Sequence, residues 1–172
     1  GANCFGTGLC HGLYISTSGN VIEENEVSRI LGGYGVHVYK GGSTPTYKAI
    51  DNNVVRGNTV YDIPTKGGIL LTSGNGHQAV NNFVWKTNGD GGIIAKNTCA
   101  GCKILSNTIG KVTSGAGIYN GSGAKGTEIR NNIMWGSTTP YKNAETAAPP
   151  VFDHNWCAAS ICAPYTANPF CQ

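Results

Sequence analysis

Asparagines recur in this chain at one fixed place in a pattern of apolar residues. An apolar residue stands three positions before each of these asparagines, and another stands two positions after it. The copies of the pattern are Ile22–Val27, Val55–Val60, Ala79–Val84, Ile104–Ile109, Ile129–Met134 and Phe152–Cys157. Their asparagines are Asn25, Asn58, Asn82, Asn107, Asn132 and Asn155, and the intervals between them are 33, 24, 25, 25 and 23 residues. Such a period, with short apolar segments in every copy, predicts a parallel solenoid in which each period forms one coil.

Each period also contains an earlier strand that begins at a glycine. The strand periodicity of two predicts which side chains of this strand point outward. One outward row comprises Tyr14, His37, Leu70, Ile94 and Tyr119, and the row beside it comprises Ser16, Tyr39, Thr72, Lys96 and Gly121. Adjacent coils lie about 4.8 Å apart, so each row is a continuous strip along one sheet.

The recurring asparagine has a physical explanation in a solenoid. A buried amide needs hydrogen-bond partners, and identical amides stacked coil on coil satisfy one another as a ladder. Asparagine also tolerates the left-handed backbone conformation, so we expect the ladder asparagines themselves to turn the corners.

We divide the single domain into a cysteine-bearing lead (1–10), the coils (11–139) and an irregular, disulfide-stapled tail (140–172) that closes the C-terminal end of the solenoid.

Composition narrows the class of protein further. The chain has 172 residues, of which 26 are glycine and 12% are charged, which is typical of a turn-rich all-β domain. A net charge of +3 is too small for a nucleic-acid binder, and no apolar run is long enough to span a membrane. Seven cysteines without a complete metal motif predict disulfides and a secreted or periplasmic protein, with no metal or other cofactor. We interpret Cys99 and Cys102 as a structural clip.

The asparagine pattern resembles that of the right-handed parallel β-helices of the pectate-lyase-like superfamily. The resemblance covers residues 11–157 and implies an all-β, right-handed parallel β-helix of about five to six coils with an internal asparagine ladder. Its enzymes act on polyuronates in a groove along the first sheet. Tyr34-Gly35-Val36-His37 is loosely similar to the signature of alginate lyases and mannuronan C5-epimerases, although the Asp-Pro of that signature is missing. Calcium-dependent pectate lyases and polygalacturonases gather several carboxylates, whereas only Asp90 lies near this sheet.

The outward face of the first strands carries the candidate chemistry. β-Elimination from a uronate needs a base for the C5 proton, an acid for the leaving oxygen and a cation for the carboxylate. The candidate catalytic residues are His37 as base, Tyr39 or Tyr14 as acid, and Lys96 or Lys40 as cation. The candidate substrate-binding residues at the margins are His11, Tyr34, Lys66, Tyr119 and Asp90. An insertion, Lys40–Lys48, borders this face, and we predict a polyuronate lyase or C5-epimerase there.

The third strand of each period suggests a different function. Its outward positions include Tyr61, Trp85 and Trp135, which together are too apolar to remain bare. Aromatic rings on a flat sheet suit stacking on sugar rings, so a non-catalytic glycan-binding protein is the alternative. A structural protein that self-associates through this face or through the ends of the solenoid is equally open. The expected partner is an acidic polysaccharide or another glycan, and not a nucleic acid or a membrane.

Overall fold

The computed structural model describes residues 8–41 and 50–157, which form eighteen short β-strands. The first nine strands are β1 (Leu13–Ile15), β2 (Val21–Glu23), β3 (Glu26–Ser28), β4 (Val36–Val38), β5 (Val54–Arg56), β6 (Thr59–Ile63), β7 (Ile69–Thr72), β8 (Gln78–Val80) and β9 (Phe83–Thr87). The remaining nine are β10 (Gly91–Lys96), β11 (Lys103–Leu105), β12 (Thr108–Gly110), β13 (Ala116–Asn120), β14 (Glu128–Arg130), β15 (Ile133–Trp135), β16 (Thr139–Asn143), β17 (Val151–Asp153) and β18 (Trp156–Cys157).

Every third strand belongs to the same sheet, so three consecutive strands make one coil. The first sheet has the order β1-β4-β7-β10-β13-β16, the second β2-β5-β8-β11-β14-β17, and the third β3-β6-β9-β12-β15-β18. All of these pairings are parallel, and the register places Tyr14 beside His37, and Ile94 beside Leu70 and Tyr119. The predicted all-β parallel β-helix and its outward rows are therefore confirmed.

The core is a set of apolar stacks that run through the coils. Ile69, Ile93 and Ile118 lie in register on adjacent strands of the first sheet and are fully buried. Ile104 and Ile129 continue the core from the second sheet, where they too are completely inaccessible to solvent. Because parallel strands buried inside a solenoid contact the same type of residue above and below, each stack adds apolar contact with every coil.

The asparagine ladder occupies the corner between the second and third sheets. Asn58, Asn82, Asn107, Asn132 and Asn155 are buried, and only Asn25 at the first coil is exposed. From Asn25 to Asn132, each side-chain amide donates to the amide oxygen in the next coil, for example from Asn82 to Asn107 at 3.0 Å and from Asn107 to Asn132 at 3.0 Å. The backbone N–H of each donates to the same oxygen.

The left-handed residue at this corner is not the ladder asparagine, as we had expected, but the residue before it. The positive φ angles belong to Glu24, Gly57, Asn81, Ser106, Asn131 and His154. The reason is that the ladder amide must point into the core, so the chain turns one residue earlier, where the side chain points to solvent.

A row of glycines opens the strands of the first sheet. A Cβ atom on Gly92 would lie 2.5 Å from the Ile109 Cγ2 atom and 2.8 Å from the Gly117 carbonyl oxygen, and similar clashes recur at Gly35 and Gly68. The backbone of this corner therefore packs directly against the backbone of the next coil, which excludes any side chain.

The repeat continues past residue 139, where we expected an irregular tail to begin. Strands β16, β17 and β18 pair with β13, β14 and β15 and complete a sixth coil. Tyr141 explains this, because it lies in register with Ile118 and is buried as the next residue of the inward stack, and Pro140 beside it is buried as well. Residues 158–172, which contain the remaining cysteines of the proposed tail, lie outside the described part of the chain.

The cysteines of the described residues have different states. Cys99 and Cys102 form a disulfide, so the predicted clip is confirmed, and Cys10 is disulfide-bonded as well. Cys157, which we had grouped with the disulfide-stapled tail, is instead a free and buried thiol, and burial raises its pKa to about 11. Its place as the last inward residue of β18 explains the difference. The disulfides are compatible with an extracellular protein.

Candidate functional site

Five aromatic rings gather at the N-terminal end of the first sheet. They belong to His11, Tyr14, Tyr34, His37 and Tyr39, and we call them the ring cluster. His37 is central, since its ring centroid lies 4.2 Å from that of His11, 5.3 Å from Tyr14, 5.1 Å from Tyr34 and 5.2 Å from Tyr39. Tyr14 is about half exposed, whereas Tyr34 is buried. The ring cluster thus has a buried side towards Tyr34 and an open side at Tyr14.

The local fold explains how these rings meet. His37 and Tyr39 lie two residues apart on the outward side of β4 and its extension, and Tyr14 lies beside His37 on β1. His11 and Tyr34 come from the segments that precede β1 and β4, where Cys10 and Gly32 form an isolated bridge. The corner therefore folds two more rings over the edge of the sheet.

Hydrogen bonds fix the tautomers of the two histidines. The backbone N–H of Tyr34 donates to Nδ1 of His11 over 3.0 Å, so this nitrogen carries no proton. Neutral His11 is therefore protonated at Nε2, which lies 2.9 Å from Nδ1 of His37 and donates to it. His37 must then carry its own proton at Nε2. The chain of bonds runs from the backbone through both imidazoles and leaves the N–H of His37 as its terminal donor.

Both imidazoles are held in the neutral form. Burial, with smaller contributions from His11 and Lys96, lowers the pKa of His37 to about 3. Burial and the charge of Lys66 also lower the pKa of His11. We predicted His37 as a base because an ordinary histidine titrates near neutrality. The structure removes that reason, since the accepting nitrogen of His37 is already bonded and its affinity for a proton is low.

A lysine–aspartate pair adjoins the ring cluster through Tyr34. The Lys96 ammonium donates to Asp90 Oδ2 over 2.7 Å, and the Tyr34 hydroxyl donates to the same oxygen over 3.4 Å. The hydrogen bond from Lys96 lowers the pKa of Asp90. Burial lowers the pKa of Lys96, but the hydrogen bond to Asp90 and the interactions with Tyr34 and with the charge of Asp90 together raise it above its ordinary value. Burial raises the pKa of Tyr34. Lys96 is therefore charged but already neutralised by Asp90.

The other candidate residues lie at the edges of this site. Lys66 is near enough for its charge to lower the pKa values of His11 and Asp90. Tyr119 packs against the apolar patch below Tyr34, at the far side of Lys96 from the ring cluster. Lys40 follows Tyr39 and is partly exposed. Of the insertion that follows, residues 42–49 lie outside the described part of the chain.

Sequence reasoning missed three contributors to this face. Leu70 and Ile94 point outward in register with His37, yet Tyr34 and Tyr119 pack over them and bury them. Lys142 extends the same row on β16, and its ammonium lies 5.2 Å from the centre of the Tyr119 ring. Apolar residues at outward positions on two neighbouring strands were the signal in the sequence that other side chains pack over this part of the sheet. Lys142 was hidden because we had ended the coils at residue 139.

Two negative findings apply to the described residues. Within residues 8–41 and 50–157, no three His, Cys, Asp or Glu side chains are grouped to hold a metal ion. In the same residues no helix has the length and hydropathy to cross a membrane.

Comparison with known proteins places the fold. No curated protein and no solved structure matches the chain. The family model for the right handed beta helix region matches residues 4–155. That match includes all of the described strands except β18. The chain therefore belongs to the right-handed β-helix family.

Proposed function

We propose that this protein binds an acidic polysaccharide along the first sheet and acts on it as a uronate lyase or C5-epimerase. The observation that carries the proposal is the hydrogen-bonded His11–His37 pair, surrounded by three tyrosines and adjoined by the Lys96–Asp90 pair. The family fold is consistent with proteins that act on polysaccharides. The loose similarity of Tyr34–His37 to alginate lyases and C5-epimerases, within the pectate-lyase-like superfamily, supports a uronate as the substrate.

His37 has the role of a hydrogen-bond donor in this proposal. Removal of the C5 proton places negative charge on the carboxylate of the uronate, which becomes an enolate. A neutral imidazole N–H donor in a partly buried site stabilises such an oxyanion and itself remains neutral. The tautomers of His11 and His37 leave the Nε2–H of His37 as such a donor. Lys66 and Lys40, which are not tied to Asp90, bind the carboxylate groups of neighbouring sugars.

The proton transfers then fall to the tyrosines beside His37. Tyr14 or Tyr39, as the phenolate, takes the proton from C5. In a lyase the electron pair forms the C4–C5 double bond, the bond from C4 to the glycosidic oxygen breaks, and a tyrosine returns a proton to that oxygen. In an epimerase a water molecule on the opposite face donates a proton to C5, and the tyrosine releases the abstracted proton to the solvent. Both outcomes require a tyrosine on the open side of the ring cluster, where Tyr14 lies.

A substrate screen tests the proposal directly. Pectate, alginate and glycosaminoglycan polymers are incubated with the protein, while ultraviolet absorbance reports unsaturated ends and NMR reports solvent deuterium at C5. We expect His37→Ala to lower kcat by about two orders of magnitude or more. Lys103→Ala, on the exposed face of the second sheet, is the matched control and keeps full activity. If the native protein acts on none of these polymers, the proposal is wrong and the alternative, a binding or structural solenoid, replaces it.

The pH profile separates the two roles of His37. With its pKa near 3, His37 stays neutral throughout the range from pH 5 to pH 8. We therefore expect no kinetic pKa near the ordinary histidine value of about 6.5 in kcat/KM. A limb at that pH that disappears in His37→Gln would show that His37 is the base and that our assignment is wrong.

A further inference from the structure

We propose that the third sheet carries a second binding site, for acidic oligosaccharides, formed by Trp85, Trp135 and Lys111. We call it the tryptophan site. It lies on a different sheet from the ring cluster, so it binds polysaccharide without acting on it. The inference rests on the proposed function only in the choice of a uronate as the sugar.

A glycine brings the two tryptophans together. Trp85 and Trp135 lie two coils apart, and Gly110 stands between them in the register of the third sheet. Their ring centroids are nevertheless only 5.2 Å apart, because the Trp135 ring leans over Gly110. A Cβ atom at Gly110 would lie 2.5 Å from Cε2 of Trp135. The absence of a side chain at one position therefore creates a continuous aromatic surface, which Phe83 extends at 6.4 Å from Trp85.

A lysine lies over this aromatic surface. The ammonium of Lys111 is 4.6 Å from the centre of a Trp85 ring and 6.0 Å from that of Trp135. Lys111 has a left-handed backbone with φ of 50° at the corner after β12, which projects its exposed side chain alongside the tryptophans. Among the described residues it has no carboxylate within ion-pair distance, whereas the neighbouring Lys86 lies 3.6 Å from Asp62.

These features together favour an anionic sugar as the occupant. The aromatic rings provide a surface on which the apolar face of a sugar ring stacks. The ammonium of Lys111 provides a counter-charge for a carboxylate held beside that ring. An apolar protein segment docked here would instead bury the ammonium without a partner, which is unfavourable. A uronate presents both the ring and the carboxylate that this surface matches.

The described residues leave this surface open. We expected residues 140–172 or a partner subunit to cover part of it. Of these, residues 140–157 belong to the sixth coil, and residues 158–172 lie outside the described part of the chain. That coil adds Trp156 to the same sheet beside Ile133, and these two side chains are 49% and 43% exposed. Beyond the tryptophan site, the third sheet therefore carries further exposed apolar side chains.

Tryptophan fluorescence gives a readout that is specific for this sheet. The chain has three tryptophans, Trp85, Trp135 and Trp156, and all lie on the third sheet. The protein is titrated with a hexamer of galacturonate and with its methyl ester, which has the same rings without the charge, and Kd is also measured by calorimetry. We expect the acid to bind and change the fluorescence, the ester to bind about tenfold or more weakly, and added salt to weaken binding of the acid.

Four variants locate the binding. Lys111→Met and Trp135→Ala each weaken binding of the acidic hexamer by about tenfold. Lys103→Ala, on the exposed face of the second sheet, and Trp156→Ala, outside the tryptophan pair, bind like the native protein. Circular dichroism verifies the fold of each variant, and exposed Lys111→Met keeps the test valid if Trp135→Ala does not fold.

Three results would overturn the inference. Native affinity in folded Lys111→Met or Trp135→Ala would show that the tryptophan site does not bind the sugar. Loss of binding in His37→Ala alone would assign the affinity to the ring cluster. An oligomer that dissociates in Trp135→Ala during sedimentation, with no glycan binding by the native protein, would identify the surface as a contact between copies. None of these results depends on catalysis, so the proposed function is tested separately by the substrate screen.

Discussion

The side-chain amide of Asn107 has its donor and acceptor groups fully in use. Its oxygen accepts from the backbone N–H of Asn82 at 2.9 Å and from the Asn82 side chain at 3.0 Å. Its nitrogen donates to the next ladder oxygen, on Asn132, and to the carbonyl oxygen of Ala79. The amide therefore links three coils, and its loss leaves buried polar groups without partners on both sides.

Replacement of Asn107 by leucine tests this linkage. The substitution leaves the Asn82 N–H and the Asn132 oxygen with fewer partners in the core, at a cost of roughly 1–3 kcal/mol for each stranded group. The matched control is Asn25→Leu, at the exposed first rung, where one neighbour only is affected. Urea unfolding gives the free energy of each variant. Equal stability of the two variants would contradict the proposed role of the buried ladder.

The sequence was informative about buried amides and uninformative about electrostatics. The regular spacing and apolar neighbours of Asn107 were enough to predict its burial and partners. The corner itself was not predictable, because Ser106 and His154, which have left-handed backbones, belong to no turn motif. The pKa of His37 was also out of reach, since it depends on burial by Tyr34 and on contact with His11, which lie in other segments.

The recurring glycines near the strand starts of the first sheet are required by close packing between coils. Gly35, Gly68, Gly92 and Gly117 lie within one residue of the start of a strand in the first sheet, and at each of them the next coil occupies the place where a side chain would stand. The apolar partner in this contact comes from the third sheet, as with Val84 for Gly68 and Ile109 for Gly92. The row therefore sets how closely the first and third sheets approach.

Gly92→Ala tests the row. The new methyl group overlaps Ile109 and the backbone of Gly117, so we expect destabilisation of about 1–3 kcal/mol, as is usual for an overpacked core. Ile109→Ala removes the overlapping Cγ2 atom but leaves the backbone contact. The double variant should therefore lose less unfolding free energy than the sum of the losses in the two single variants. Strict additivity in urea unfolding would show that the methyl group does not meet Ile109.

Strand pattern predicted the first sheet well except where another element covers it. The outward rows of Tyr14 and Tyr39 were placed correctly, because strands alternate strictly and coils repeat. Leu70 and Ile94 obeyed the same alternation but are buried, since Tyr34 and Tyr119 lie over them. The sixth coil was missed for a related reason: several prolines after residue 139 suggested an irregular tail, although Pro140 lies within β16. Contacts between coils determine whether an outward residue is covered and whether a further coil forms. The sequence of a single period does not reveal these contacts.

Buried neutral histidines make the whole molecule sensitive to acid. The chain has four histidines. Burial is the main cause that lowers the pKa of His11, His37 and His77 in the folded protein. In the unfolded chain each titrates near the ordinary value of about 6.5. Below that pH the unfolded chain binds protons that the folded protein does not, so the free energy of unfolding must decrease as pH falls.

Glu145 adds a second source of acid sensitivity. Its buried carboxylate accepts from the backbone N–H groups of Gly123 and Ala147 at 2.8 and 2.7 Å, and these bonds lower its pKa. The stabilisation from this group is present above the ordinary glutamate pKa and is lost as pH falls through the lowered one. The histidines act at higher pH than this carboxylate, so the first losses of stability on acidification belong to them.

His77→Asn isolates the histidine contribution, because His77 continues a short second ladder. Asn20 donates to the amide oxygen of Asn53, and the Asn53 N–H donates to Nδ1 of His77 at 3.2 Å. An amide oxygen in place of Nδ1 keeps that acceptor and does not titrate. We expect stability at pH 7.5 within about 1.5 kcal/mol of the native protein and a smaller loss between pH 7.5 and pH 5. Urea unfolding at both pH values measures the losses, and an unchanged loss in His77→Asn would show that His77 is protonated in the folded protein as readily as in the unfolded chain.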